Sequence, residues 1–193
     1  MPEDCRSKMK RIFIALKIIP DIKLSDLIST LKAGLKHERI SWTNQENIHI
    51  TLAFLGDTEE KKIENISGML AGKCKGFGVF DISLAGTGLF RSLTDPRVIW
   101  AGISESEKLR FLNSVVKTGL SDVGIRIEDR PFNPHLTLGR IKSINDRDNL
   151  KKVLDRSDGE VLQVVPISEV ILYESILQQT GPVYKPLGKY SLI

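Results

Sequence analysis

Along most of the chain, apolar residues recur either at every second position or at every third to fourth position. These two periods predict different elements. Runs of β-branched and aromatic residues are typical of strands, whereas apolar residues three or four positions apart are typical of amphipathic helices. Strands are predicted at residues 10–19, 40–43, 47–55, 77–84, 97–103, 125–127, 134–141, 161–165, 167–173 and 181–192. Helices are predicted at residues 21–38, 58–73, 104–122 and 145–157.

The residues between these runs predict where helices begin and where the chain is irregular. Three helices follow a residue that favours the N-cap position, namely Asp21, Thr58 and Ser104. Ser104 also has Glu107 three residues further on, which is the spacing of a capping box. Glycine, proline and polar residues predict a loop that includes Gly86, Gly88 and residues 92–96 and a turn at residues 130–133. The last strand contains a proline and a glycine, which favours an edge position or an irregular end.

One short pattern occurs twice, about half a chain apart. Residues 47–52 read NIHITL and residues 133–138 read NPHLTL. Residues i and i+2 of a strand face the same side, so His49 shares a face with Thr51, and His135 shares a face with Thr137. The chain has three histidines, and the third, His37, lies near a predicted helix end, where we expect it on the surface.

The order of the elements favours an α+β fold. A histidine strand followed by a helix and further strands appears in each half, and polar residues on one strand face suit antiparallel sheets with a solvated side. We therefore expect an internal duplication in which two antiparallel sheets line a central cleft, with the helices outside. Residues 1–9 are predicted to form an N-terminal extension, and residues 10–193 a single two-lobed domain.

Composition and charge narrow the class of protein. The hydrophobic content of 41% and the charged content of 27% are ordinary for a globular protein, and no apolar run approaches the ~18–20 residues that span a bilayer. The N-terminus does not resemble a signal peptide, so a cytoplasmic location is expected, with Cys5 and Cys74 as free thiols. A net charge of +4 suits a phosphorylated substrate. An aromatic content of 6% argues against an extended base-stacking platform.

The repeated pattern has the groups that phosphodiester cleavage requires. Imidazole titrates near neutrality, so one histidine can give a proton as general acid while the other takes one as general base. In-line displacement places the attacking and leaving oxygens on opposite sides of phosphorus, so an acid and a base should flank it. The threonine hydroxyls can donate to the non-bridging oxygens. Such a site needs no metal, and no cofactor is expected.

Other interpretations of the same residues are weaker. A single His-x-Thr in a strand occurs by chance, but two copies in the same surrounding sequence are hard to attribute to chance. A zinc site would need at least one further ligand, and the chain has neither an HExxH motif nor a cysteine cluster. A serine or cysteine nucleophile would need a nucleophile elbow, which is missing. A nucleotide or RNA-end binding module that uses the same cleft without turnover stays open, as does an interaction scaffold.

The chain resembles the two-histidine phosphoesterase superfamily, which carries paired HxTx motifs, and within it the LigT-like RNA 2′,3′-cyclic phosphodiesterases, also called 2′-5′ RNA ligases. The resemblance extends over residues 10–190 and is carried by residues 11–16, 49–57, 97–102, 131–140, 173–175 and 181–184. One departure is Asn133, where the family often has a basic residue. The resemblance implies a bilobal, pseudo-two-fold α+β fold, with the two motifs facing each other across the cleft.

The resemblance also implies a reaction and a role for each motif residue. A terminal 2′,3′-cyclic phosphate would be hydrolysed to a 2′-phosphomonoester without metal, with ligation to a 2′-5′ bond as the reverse reaction. His49 would protonate the leaving 3′ oxygen, and His135 would activate the water. Thr51 and Thr137 would hold the phosphate oxygens. The expected partner is an RNA with a 2′,3′-cyclic phosphate end or a cyclic nucleotide, bound by a monomer with no membrane partner.

Three further residues are candidates for the cleft. The resemblance implies that Arg140 contacts the phosphate. Strict alternation, however, puts Arg140 on the opposite face from Thr137, so it reaches the ligand only near the strand end or through a bulge. Phe54 and Phe132 are candidates to line the cleft, with packing in the core as an equal alternative.

Overall fold

Two antiparallel sheets and four α-helices form the computed structural model, which describes residues 8–104, 106–127, 131–157, 159–179 and 181–193. The strands are β1 (Met9–Lys17), β2 (Arg39–Trp42), β3 (His49–Glu59), β4 (Phe80–Phe90), β5 (Val98–Ile103), β6 (His135–Ser143), β7 (Val161–Ile167), β8 (Glu169–Gln178) and β9 (Gly181–Ser191). The α-helices are α1 (Ile22–Gly34), α2 (Glu60–Cys74), α3 (Glu107–Asp122) and α4 (Arg147–Leu154). Short 3-10 helices lie at Gln45–Asn47 and Asp155–Ser157.

The two sheets each contain one histidine strand. The first sheet has the order β3-β1-β8-β9, and the second has the order β2-β6-β5-β4-β7. Every strand pair is antiparallel, which confirms the predicted α+β class with two antiparallel sheets. The last strand lies at a sheet edge, as its proline and glycine predicted. The strand β3 also ends its sheet, whereas β6 has the short strand β2 on its outer side.

The sheets exchange strands between the two halves of the chain. The first sheet combines β1 and β3 with β8 and β9, and the second combines β5 and β6 with β4. The helices are exchanged in the same way, because α1 contacts α4 and β7 while α3 contacts α2 and β3. One buried core joins the inner faces of the helices to one face of each sheet. Neither half of the chain forms its sheet alone, so the cleft depends on both.

Two predicted helix starts are wrong, for different reasons. Thr58 is not an N-cap but a buried residue of β3, because this strand continues past Gly56 and pairs with β1 as far as Met9. Helix α2 begins after Glu59, whose side chain makes no capping hydrogen bond. Helix α3 is capped by Ser106 rather than Ser104, with the Ser106 hydroxyl accepting from the Leu109 amide. Asp21 caps α1 as predicted and accepts from the Leu24 amide at 2.9 Å.

The predicted loop at Gly86 and Gly88 is instead part of β4. Gly86 has φ 62 at an irregularity in the pairing with β5, which is a common use of glycine in a strand. Gly88 lies under the Trp100 indole, where an added Cβ would be 2.3 Å from a ring carbon. Both glycines therefore serve the sheet rather than interrupt it.

The prediction of a strand at residues 125–127 is wrong. Residues 125–127 form no strand; the Ile125 amide instead donates to the Leu120 carbonyl and continues the end of α3. The predicted turn at residues 130–133 begins with Arg130, which lies outside the described residues. The same holds for residues 1–7 of the predicted N-terminal extension, including Cys5.

A β-bulge follows each His-x-Thr pair. In β3, Thr51 pairs with Ala15 and Ala53 pairs with Ile14, so Leu52 is the extra residue. In β6, Thr137 pairs with Trp100 and Gly139 pairs with Ile99, so Leu138 is the extra residue in the equivalent place. A bulge reverses the alternation of the residues that follow it.

The carbonyl group of each bulge residue has a hydrogen-bond donor, but the donors differ. The Leu138 carbonyl accepts from the backbone amide of Thr43, just after β2, at 2.9 Å. Among the described strands, β3 has no outer neighbour. There the Asn113 side chain on α3 donates Nδ2–H to the Leu52 carbonyl at 2.7 Å. Asn113 is itself buried. One buried side chain thus replaces a missing strand.

We expect Asn113→Leu to destabilise the protein by about 1–3 kcal/mol, because the buried Leu52 carbonyl would lose its donor. Urea unfolding followed by circular dichroism measures the change. Ser114→Ala, at the exposed next position of the same helix, is the matched control and should unfold with the wild-type midpoint. Equal midpoints for Asn113→Leu and wild type would contradict a structural role for this bond.

Candidate functional site

The two histidines begin their strands and face the space between the sheets. His49 and His135 are the first residues of β3 and β6. Both rings and both threonines two residues later are half-buried, whereas the residues between them, Ile50 and Leu136, are fully buried in the core. The predicted sharing of one face by each histidine and its threonine agrees with this burial. The third histidine, His37, is exposed beyond the end of α1.

The two motifs lie close together across the cleft. Strands β3 and β6 contact each other although they belong to different sheets. A charge on His135 lowers the pKa of His49, and the Arg140 guanidinium lowers the pKa of both rings. Arg140 and the two imidazoles therefore belong to one site.

Each ring is held in the same way by its own motif. His49 Nδ1 lies 2.6 Å from the Asn47 carbonyl oxygen, and His135 Nδ1 lies 2.8 Å from the Asn133 carbonyl oxygen. A carbonyl can only accept, so in each ring Nδ1–H is the donor. In the neutral form, Nε2 then carries a free lone pair, which is the state that a general base requires.

Burial is the largest influence on both histidines and lowers their pKa from the ordinary value of 6.5. The carbonyl bond to Nδ1 opposes this by favouring the protonated ring. For His49, charges on His135, Lys17 and Arg140 lower the pKa further; for His135, Arg140 does. These surroundings therefore favour the neutral form of both imidazoles.

Aromatic rings surround both imidazoles. The His49 ring lies 5.0 Å from Phe13 and 5.2 Å from Tyr184, whose ring meets it edge-on. The His135 ring meets Phe90 edge-on at 4.5 Å. Sequence patterns do not reveal these neighbours, because Phe13, Phe90 and Tyr184 come from three separate strands. Phe13 and Tyr184 both lie within segments that carry the family resemblance, which was the available signal.

The bulge at Leu138 decides the position of Arg140. Arg140 pairs with Val98, and Val98 pairs with Phe90, so the three side chains share the face on which Phe90 contacts His135. The next residue, Ile141, is buried in the core. Strict alternation was thus the wrong assumption for Arg140, and the bulge that the alternation argument required is present.

The equivalent bulge in β3 brings Phe54 into the cleft. Phe54 is the cross-strand partner of Phe13, which contacts His49, and its side chain is 50% exposed. The Arg11 guanidinium lies over this ring, 4.8 Å from its centroid. Phe132, the other aromatic candidate, packs against the hydrophobic core. Of the two alternatives for these residues, lining of the cleft applies to Phe54 and core packing to Phe132.

Outside the cleft, the described residues offer few groups for metal binding or nucleophilic catalysis. No three His, Cys, Asp or Glu side chains come together there as a metal-binding group. Cys74 is free and buried, and burial raises the pKa of its thiol to about 11, so it is an unreactive thiol. None of the described helices combines the length and hydropathy required to cross a membrane.

Comparison with known proteins places this architecture in a family. The chain matches the LigT like Phosphoesterase family over residues 17–100 and 102–184, each of which contains one histidine motif. It is 34% identical over 180 residues to an RNA 2′,3′-cyclic phosphodiesterase of Thermotoga maritima, covering 92% of each chain. It is 34% identical over 183 residues to the Archaeoglobus fulgidus protein of the same name, covering 92% of this chain and 97% of the relative.

A solved structure has the same fold. A crystal structure of a protein from Thermus thermophilus superposes with a TM-score of 0.78 at 26% identity, covering 94% of this chain and 97% of that chain. The family match includes both motifs, and the fold match extends over nearly all of the chain. The protein therefore belongs to the LigT-like phosphoesterase family.

Proposed function

We propose that the protein hydrolyses 2′,3′-cyclic phosphate ends of RNA to 2′-phosphomonoesters through its paired histidines, without a metal. The proposal rests on the pair of His-x-Thr strands that face one cleft. In each histidine ring, Nδ1–H donates to a backbone carbonyl, which leaves Nε2 available for proton transfer. The names of the Thermotoga maritima and Archaeoglobus fulgidus relatives support a cyclic phosphate on RNA as the substrate.

In the proposed reaction, one proton enters as another leaves. His135 Nε2 takes a proton from water as the water oxygen forms its bond to phosphorus. The bond from phosphorus to O3′ breaks, and O3′ receives the Nε2 proton of a protonated His49. The products are a free 3′-hydroxyl and a 2′-phosphomonoester, with His49 neutral and His135 protonated. Exchange with solvent restores the starting state.

The remaining site residues stabilise charge on the phosphate. The Thr51 and Thr137 hydroxyls are available to donate to the non-bridging oxygens, and the Arg140 guanidinium supplies a fixed positive charge. The substrate anion in turn offsets the burial and the cations that lower the pKa of both rings. Substrate binding therefore helps to form the imidazolium that the reaction needs.

The same groups also permit ligation of two RNA strands. A 5′-hydroxyl of a second RNA that takes the place of the water would yield a 2′-5′ phosphodiester, with O3′ leaving as before. This ligation is the same displacement at phosphorus with an RNA hydroxyl in place of water, and we propose hydrolysis as the main activity.

Phosphorus NMR of an RNA with a 2′,3′-cyclic phosphate end is the direct test. The cyclic phosphate signal is expected to be replaced by that of a 2′-phosphomonoester, with the same rate in the presence of a chelator. His49→Ala and His135→Ala should each reduce the rate about 10²–10⁴-fold, since each removes a general acid or base.

His37→Ala is the matched control for these variants, because His37 is the exposed histidine outside the cleft, and it should retain the wild-type rate. Full activity of either cleft variant would refute the paired mechanism. Activity lost in chelator and restored by zinc would indicate a metallohydrolase. Stoichiometric binding of the cyclic end without product would indicate a binding module.

The lowered histidine pKa values predict how kcat/KM and kcat depend on pH. One ring must be protonated and the other neutral, and kcat/KM reports the groups of the free protein. Because both pKa values lie below 6.5, kcat/KM is expected to begin its alkaline decline below pH 6.5. The bound anion raises these pKa values, so the decline of kcat should lie at higher pH. Coincident profiles for kcat and kcat/KM would contradict this account.

Arg140→Gln should shift the same profile and weaken catalysis. Removal of this cation raises the pKa of both rings, which moves both limbs of the kcat/KM profile to higher pH. The loss of a charged hydrogen bond to phosphate, about 1.5–3 kcal/mol, should lower kcat/KM by about tenfold or more. Lys142→Gln is the control, because it removes the same charge from β6 at a residue that does not influence either ring. A similar effect of both variants would mean that Arg140 acts only through overall charge.

A further inference from the structure

The two bulges create equivalent positions that carry different residues. Each position lies five residues after a cleft histidine and two residues after a bulge residue, and each is turned into the cleft. In β6 the position holds the cation Arg140, whereas in β3 it holds the uncharged Phe54. The first lobe therefore lacks a cation on the strand where the second lobe has one.

Arg11 supplies a cation at that place from the neighbouring strand. Its guanidinium stacks on the Phe54 ring at 4.8 Å. Arg11 lies two residues before Phe13 on β1, so it shares the cleft face with the ring that contacts His49. Its side chain is exposed, and it forms no ion pair with its cross-strand neighbour Asp57 within the described chain. An aromatic ring thus holds this positive charge in position, without a carboxylate partner among the described residues.

Arg11 lies farther from the reaction centre than Arg140. The charges of both arginines lower the pKa of Tyr184, against the larger effect of burial, but only Arg140 acts on the histidines. Along β1, Arg11 is four residues from Ala15, the cross-strand partner of Thr51, which is about 13 Å of strand. A long side chain closes part of this distance. Arg11 therefore lies away from the two histidine motifs, where it would face a part of a bound ligand next to the reacting phosphate.

We infer that Arg11 binds the phosphate on the 5′ side of the terminal nucleotide, and that the protein thereby selects RNA ends over cyclic mononucleosides. The inference rests on the proposed function for the identity of the ligand. A guanidinium fixed on an aromatic face is suited to a phosphate, which it can bind through two hydrogen bonds. A cyclic mononucleoside phosphate has no group for it, whereas every internal position of an RNA chain does.

Binding of two product-like nucleotides tests this contact separately from turnover. Adenosine 2′-monophosphate carries only the phosphate of the reaction centre, and adenosine 2′,5′-bisphosphate adds the 5′ phosphate. We expect the wild-type protein to bind the bisphosphate about tenfold more tightly by isothermal titration calorimetry, as a charged hydrogen bond predicts. Arg11→Gln should abolish this difference and leave the affinity for the monophosphate unchanged.

Arg147→Gln, which removes the same charge from an exposed position of the outer helix α4, is the matched control and should keep the tenfold preference. Equal wild-type affinities for the two nucleotides would overturn the inference, as would a parallel loss of both in Arg11→Gln. Absence of hydrolysis in the NMR experiment would count against the proposed function alone, because the binding preference is measured without turnover.

Discussion

The bulge that follows the His-x-Thr pair in each histidine strand determines which side chains enter the cleft. Without the bulges at Leu52 and Leu138, alternation would direct Phe54 and Arg140 toward the core. An unpaired guanidinium there would cost several kcal/mol, so the second strand would not tolerate this arginine. The bulge is in turn constrained by its own carbonyl, which must find a donor in a buried environment. The backbone after β2 and the side chain of Asn113 are two solutions to the same requirement.

The exchange of strands between the halves explains how an isolated motif becomes a site. The first motif contributes His49 and Thr51, but the rings that surround His49 come from β1 and from the C-terminal strand β9. Phe13 and Tyr184 are also in contact with Tyr173 of β8, which makes a small apolar cluster on the cleft face, separate from the main core. Residues near the end of the chain thus complete the environment of the first histidine, and burial by this cluster contributes to lowering its pKa.

The sequence predicts the elements and the histidine pairs because both depend on local periodicity. Apolar spacing locates the strands and helices, and a two-residue spacing places His49 with Thr51 regardless of the tertiary structure. The wrong predictions occur where a contact with a residue distant in sequence determines the local structure. Thr58 is drawn into β3 by pairing with β1, Gly88 is required by the Trp100 indole, and the face of Arg140 depends on a bulge that the apolar pattern alone does not reveal. The stacking of Arg11 on Phe54 likewise joins two strands far apart in the chain.

The close match between the two histidines raises the question of what separates their roles. Both donate Nδ1–H to the carbonyl two residues before, and burial is the main cause of the lowered pKa in both. The Nδ1 hydrogen bond and burial therefore do not distinguish an acid from a base; in the proposed reaction, the side of phosphorus that each ring meets does. Arg140 acts on both rings and cannot set this orientation. A 5′ phosphate held at Arg11, on one lobe only, fixes the direction of the ribose across the cleft and with it the ring that faces O3′. In the proposed reaction, selection of RNA ends and retention of the phosphate on O2′ would then be two results of the same contact.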